Sequence, residues 1–247
     1  MDRNETALRA DIIEKARWMN SSGLNQGTSG NISVRRGDRM LITPTSVPYE
    51  SMKPAMIVSM PLEGEYGSYE GPVPPSTEWR FHFDIMRDRP DVGAIVHTHS
   101  TYATILSIAR KPIPACHYMV AAFGSIDVRV ADYATYGTKE LADNALKALK
   151  DRNGCLLANH GMIALGRSLD QAMWRAVELE TIAKQYYHSL LLPGGPVILP
   201  KSAIDETLKA FGTYGVPGTT QIKSKRARTP VKAASKQPAT RRAPKAR

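Results

Sequence analysis

The chain predicts an α/β domain, a mixed or antiparallel sheet covered by helices. Three observations predict it. Short β-branched runs alternate with longer segments of helical periodicity. Several of those runs are joined by turns too short for a crossover helix, which favours antiparallel neighbours. The apolar content of 42% is enough for a core, yet no run approaches the length that spans a bilayer.

The elements follow in order. Leu8, Ile12, Ala16 and Met19 recur at near-helical spacing, so residues 5–20 form an amphipathic helix that Gly23 ends. A loop rich in glycine and small hydroxyl or amide groups follows, from Gly23 through Thr28 and Gly30 to Asn31, and leads into a short strand. It reads either as a phosphate cradle, with Thr28 and Asn31 as neutral donors, or as an ordinary Gly/Ser loop. It is neither a Walker loop nor a dinucleotide fingerprint, because the lysine and the strand-turn-helix context are absent. A strand from Met40 runs into a second hydroxyl-rich turn at Thr45 and Ser46, and residues 57–60 form another strand. Ser76 and Thr77 stand directly before Glu78 and can cap a helix that starts there and stops at Arg89-Pro90. His82 shares the face of Glu78, four residues on, and reads as a structural neighbour.

Ala94-Ile95-Val96-His97-Thr98-His99 is a buried strand ending in two histidines. Side chains at i and i+2 share a face, so both imidazoles can reach one point. Such a pair suits a divalent metal or a mutual hydrogen bond, and two other stretches tip the balance to metal. His160 stands in an Asn-His-Gly turn between two apolar runs, where Gly161 lets the backbone turn sharply. Glu78 in a first helical turn by itself only compensates the helix dipole; beside three histidines it becomes a ligand or general base. A helix follows His99 to about Ala109, and Tyr118 then sits in an otherwise apolar segment. Residues 126–130 alternate as a strand, and a helix runs from Thr138 to Lys150. Ser168 and Gln171 resemble a capping box opening a helix to about Leu191, and residues 202–211 make a last short helix before Thr213-Tyr214-Gly215.

Charge and cysteine content exclude several classes. The formal charge is +10, but ten of the 33 basic residues and none of the 23 acidic ones lie in residues 223–247. Residues 1–222 therefore balance at 23 of each. The terminal stretch lacks aromatics, so residues 218–247 are expected to be a disordered basic tail after a domain spanning 1–217. Nucleic-acid contact rests on that tail alone and is not expected of the domain. Cys116 and Cys155 give no disulfide framework and no thiolate zinc site. With no signal peptide and no membrane span, the chain is expected to be cytoplasmic.

Taken together, Gly23-Leu-Asn-Gln-Gly-Thr-Ser-Gly-Asn-Ile-Ser-Val-Arg35, Leu41-Ile-Thr-Pro-Thr45, Pro75-Ser-Thr-Glu-Trp-Arg80, His97-Thr-His99, His117-Tyr-Met119 and Asn159-His-Gly-Met162 resemble the class II aldolase/adducin family over residues 5–216. The resemblance implies a single three-layer α/β/α domain with a mixed, largely antiparallel sheet, assembled as a C4 homotetramer with active sites between subunits. It implies Zn2+ held by His97, His99, His160 and Glu78, with Glu78 also the acid/base. Thr28, Asn31, Thr45, Ser46, Ser76 and Thr77 fall where the family holds the substrate phosphate. Ser46 departs from the family's glycine, and Thr77 replaces a serine. Tyr118 matches a proton donor, and Tyr214 with Phe211 matches a C-terminal segment closing over a neighbouring site. The implied reaction cleaves a ketose 1-phosphate, such as L-fuculose 1-phosphate or a 5-deoxy- or 5-methylthio-ribulose 1-phosphate, to dihydroxyacetone phosphate and an aldehyde through an enediolate. No lysine stands ready for a Schiff base, in keeping with that route. Epimerases, dehydratases and decarboxylases reuse the same metal site, and the adducin branch is a non-catalytic binding protein; Glu78 with all three histidines favours the aldolase.

Overall fold

Helix α1 (Arg3–Ser21) opens the described part of the chain, which in this computed structural model comprises residues 3–211. Of the stripe that its periodicity predicts, Ile12, Ala16 and Met19 are buried and Leu8 is partly buried, with Ile13 buried beside them. Seven strands make one sheet: β1 (Asn31–Arg36), β2 (Arg39–Ile42), β3 (Val58–Pro61), β4 (Ala94–Thr98), β5 (Val130–Ala131), β6 (Gly154–Leu157) and β7 (Gly161–Gly166). They lie in the order β3-β2-β1-β4-β7-β6-β5. Every neighbouring pair is antiparallel except β5 with β6. The sheet is thus mixed and largely antiparallel, as expected.

The remaining helices are α2 (Trp79–Asp88), α3 (Thr101–Ile108), α4 (Lys139–Ala148), α5 (Leu169–Ser189) and α6 (Lys201–Phe211). Alternate residues of the central strands enter two separate cores. Ile32, Val96, Met162 and Ala164 pack with Ile12, Leu106 and Leu179, from α1, α3 and α5. Ile95, Ile163 and Leu165 pack with Phe81, Ile85, Leu141 and Ala145, from α2 and α4. This makes the three layers. It also explains why β4 reads as an apolar run with no polar alternation: all five of its residues are buried.

Three expectations need correction. Helix α2 starts at Trp79, not Glu78; Glu78 holds the cap position and its own N–H donates to Ser76 Oγ at 3.3 Å. The hydroxyl therefore shapes the turn before the helix and leaves the Glu78 side chain free to point elsewhere. The strand expected over 126–130 is reduced to Val130–Ala131 plus one bridge between Ile113 and Val128. Alternation alone cannot hold a strand where no continuous partner lies beside it. At the start of α5, Ser168 Oγ accepts from Gln171 N at 3.2 Å, but Gln171 Oε1 accepts from Arg167 N, one residue before the cap. The basic tail and Tyr214 lie outside the described residues. Among the described residues no helix is long and apolar enough to cross a membrane.

Candidate active site

The site forms where β4 ends, in the middle of the sheet. Antiparallel register sets Asn31 of β1 opposite His97 on one side and Ile163 of β7 opposite it on the other. His99 follows two residues after His97, and His160 precedes the first residue of β7. Glu78, at the cap position of α2, reaches in from the helix layer on the face that His97 shares. Ligand atoms of Glu78, His97, His99 and His160 all lie within 4.8 Å of one another. His97 Nε2 is 3.2 Å from Glu78 Oε2 and 3.1 Å from His99 Nε2, and His160 Nε2 is 3.1 Å from Glu78 Oε1.

This donor set fits a divalent cation. His97 Nδ1 lies 2.8 Å from the Met162 carbonyl, which can only accept, so the neutral ring carries its proton there and presents a lone pair at Nε2. That lone pair faces a carboxylate oxygen. Glu78 Oε1 is buried and faces the His160 ring nitrogen at 3.1 Å. Acceptors converging in a dry place repel one another unless a cation stands between them. Burial alone would raise the Glu78 carboxyl; where the His97 and His160 imidazoles carry charge they outweigh it and hold the group well below the usual carboxylate range. Burial first, then the neighbouring His97 and His160, push His99 down to about 3. Both groups are therefore in their ligating forms near neutral pH.

Two local features were not legible as such in the sequence. Gly161 does not make the turn; Asn159 does, at φ 55. A Cβ at Gly161 would stand 2.5 Å from the Thr98 carbonyl and 2.9 Å from His99 Cδ2, so the glycine lets β7 approach β4 beside the histidines. Gly161→Ala is expected to cost about 1–3 kcal/mol of stability through overpacking and to weaken metal uptake through His99. Denaturant unfolding with metal titration checks this, and a variant equal to the wild type in both would show that the strands have room to spare. Glu180 of α5 accepts from Tyr102 N at 2.8 Å and Ala103 N at 2.9 Å. It supplies from a neighbouring helix of the same layer the side-chain cap that Ser100 does not give α3, and so ties down the backbone leaving His99.

Thr28, Asn31, Thr45, Ser46, Ser76 and Thr77 all line one cavity of about 460 Å³, together with Glu78, His99 and His160. Three separate loops thus converge as expected. Among the described residues no Lys or Arg lines that cavity, so an anion there would meet neutral donors and the cluster of Glu78 with the histidines. Ser46 adopts φ 57, a left-handed backbone that would suit the glycine expected at this position from the resemblance. Asn31 is more occupied than expected: its Nδ2 donates to Glu78 Oε2 at 2.9 Å. His82, whose ring burial and His97 push down to about 3, stands behind Asn31. Tyr133 and Tyr136 also line the cavity and went unremarked in the sequence. The signal available was two tyrosines in a short loop just after a strand. Tyr118 begins a 3-10 turn (Tyr118–Phe123), is 50% exposed, and is not among the residues lining this cavity.

Comparison with known proteins agrees with this geometry. The family model described as "Class II Aldolase and Adducin N-terminal domain" matches residues 10–187. A 5-methylthioribulose-1-phosphate/5-deoxyribulose-1-phosphate aldolase of Rhodospirillum rubrum is 49% identical over 87% of this chain and 96% of its own length. An L-fuculose phosphate aldolase of Escherichia coli strain K12 is 43% identical over 87% of this chain and 98% of its own. A solved structure of an L-fuculose 1-phosphate aldolase superposes with a TM-score of 0.80 at 40% identity, covering 84% of this chain and 97% of that one.

Proposed function

The chain belongs to the class II aldolase and adducin family, and from that premise we propose that it is a zinc-dependent aldolase acting on a ketose 1-phosphate. The substrate is L-fuculose 1-phosphate or a 5-deoxy- or 5-methylthio-ribulose 1-phosphate, and the products are dihydroxyacetone phosphate and an aldehyde. The observation that carries this reading is the joining of two halves in one cavity. Glu78 and the three histidines stand at one part of it, and six neutral hydroxyl or amide residues stand at another.

His97, His99, His160 and Glu78 would hold the cation, which when bound supplies a Lewis acid for a substrate carbonyl and its adjacent hydroxyl. Imidazole and carboxylate donors without thiolate suit zinc. Thr28, Asn31, Thr45, Ser46, Ser76 and Thr77 orient the phosphate without adding a cation to compete beside the metal. Cleavage breaks the C3–C4 bond, whose electron pair moves toward C2 and its oxygen. A proton must leave the C4 hydroxyl and another must reach C3. Glu78, whose Oε1 lies on the cavity side facing His160 Nε2 at 3.1 Å, is suited to carry the proton at C3. Tyr118 manages the proton at the C4 oxygen, reaching in from a neighbouring copy in a homotetramer, with Tyr214 and Phe211 closing over the same site. The half-exposed position of Tyr118 outside its own cavity supports that shared arrangement. A cytoplasmic location suits both the phosphorylated substrate and the two free cysteines.

The test is release of dihydroxyacetone phosphate from L-fuculose, L-rhamnulose, 5-deoxyribulose and 5-methylthioribulose 1-phosphates, with and without a zinc chelator. Chelator-sensitive release is expected, and the best substrate names the ketose. No release from any of them, by protein loaded with zinc, would replace this reading with another reaction at the same site.

A further inference from the structure

Behind Glu78, the described structure holds a buried polar chain whose inner members, Ser33 and His82, the aldolase reading leaves unused. Ser33 Oγ lies 2.7 Å from His82 Nδ1, His82 Nε2 bonds Asn31 Oδ1, and Asn31 Nδ2 donates to Glu78 Oε2 at 2.9 Å. Resting on the metal reading of the cluster, we propose that His82 is a positioning residue for Glu78, acting through the Asn31 amide, with Ser33 setting which ring nitrogen carries the proton.

The direction of every bond in the chain is forced from its carboxylate end. Glu78 accepts only, so Asn31 must turn its NH2 toward it. The Asn31 oxygen then faces His82, so His82 Nε2 must donate. That leaves a lone pair on Nδ1, and the Ser33 hydroxyl donates to it. The opposite tautomer would set a lone pair against Asn31 Oδ1, and relieving that contact would swing the Asn31 oxygen onto the Glu78 carboxylate. Asn31, Ser33, Glu78 and His82 are each no more than 6% exposed, so water does not replace a missing donor. Phe81 stacks on the His82 ring at 4.6 Å between centroids and 26° between planes, which holds the ring in line.

The chain exists because two periodicities match. Glu78, at the cap of α2, and His82, one turn into it, are four residues apart, about 6 Å at the helical rise. Asn31 and Ser33 are two strand positions apart on the face toward α2, about 6.6 Å along β1. A helix laid on that face brings both pairs into register. The result assigns separate roles to the carboxylate oxygens: Oε2 is pinned by Asn31, and Oε1 stays free to face the cluster. Partners that orient a metal ligand in this way typically contribute about 10- to 100-fold in affinity.

The test uses full-length protein stripped of metal and titrated with Co2+, read by its d–d absorption, with unfolding followed in parallel. His82→Leu keeps apolar volume but removes the donor, and is expected to weaken Co2+ binding by about 10-fold or more. His82→Gln can accept from Ser33 through its oxygen and donate to Asn31 through its amide, and is expected to recover most of that loss. A merely structural histidine would not separate leucine from glutamine in this order. In the wild type, nitrogen-15 NMR of the histidine rings is expected to show His82 protonated at Nε2. Leucine binding as tightly as histidine, glutamine as weak as leucine, or a proton on Nδ1 would each overturn the proposal while leaving the metal reading intact. A wild-type protein that takes up no Co2+ would overturn the metal reading and this inference with it.

Discussion

Replacing His97 by alanine is expected to remove bound metal and aldol cleavage together while leaving the chain folded. His97 is fully buried, its Nδ1 is held by the Met162 carbonyl, and its Nε2 is within 3.2 Å of both Glu78 and His99. It therefore touches two other members of the cluster, and its loss leaves a void in the middle of the donor set. A metal Lewis acid is worth several kcal/mol in such a reaction, and each ~1.4 kcal/mol is a factor of ten, so turnover should fall by about 10²-fold at the least. Metal content by mass spectrometry and dihydroxyacetone phosphate release check the two halves. Full metal occupancy in the variant would locate the centre somewhere else.

Tyr118→Phe should do the opposite to metal and nearly the same to rate. The ring stays, so the His117–Tyr118 packing and the 3-10 turn stay; only the hydroxyl goes. Metal uptake should match the wild type, while kcat falls by about 10²-fold or more, the usual contribution of a positioned general acid or base. Because Tyr118 lies outside the cavity of its own chain, the deficit should also be repairable in mixed assemblies. Subunits carrying H97A keep a tyrosine, and subunits carrying Y118F keep a metal cluster. Refolding the two together is expected to restore part of the activity that neither has alone. An unchanged rate in Y118F would take Tyr118 out of the reaction, and no recovery on mixing would put its action within one chain.

The parts of the site that could be read early are those in which chemistry and local geometry coincide. His97 and His99 are two apart on a strand, so a shared face follows from backbone geometry alone. Thr28 and Asn31, Thr45 and Ser46, and Ser76 and Thr77 each announce a polar turn, and each does line the cavity. What misled was the attribution of function to the nearest residue. Gly161 was assigned the turn because it follows His160, yet Asn159 makes the turn and Gly161 answers to Thr98 and His99 on another strand. Ser76 and Thr77 were assigned a helix containing Glu78, yet the helix starts one residue later. Asn31 reads in the sequence as a neutral donor for an anion, and its amide is also engaged by Glu78. Tyr133 and Tyr136 carried only the weak signal of two tyrosines in a short loop after a strand, which periodicity and donor chemistry do not single out.

The sequence by itself determined the interleaved elements, the two-sided burial of the central strands, and the residue types a cation and an anion would need, because these depend on periodicity and donor chemistry along short stretches. Only the tertiary structure decided which of them meet. Register across β1, β4 and β7 set Asn31 beside His97 and brought His160 to the same end of the sheet. The packing of α2 on that sheet matched Glu78 and His82 to Asn31 and Ser33. Such contacts depend on the relative position of elements remote in the chain, and close packing sets that position through many residues at once, none of which carries the information alone.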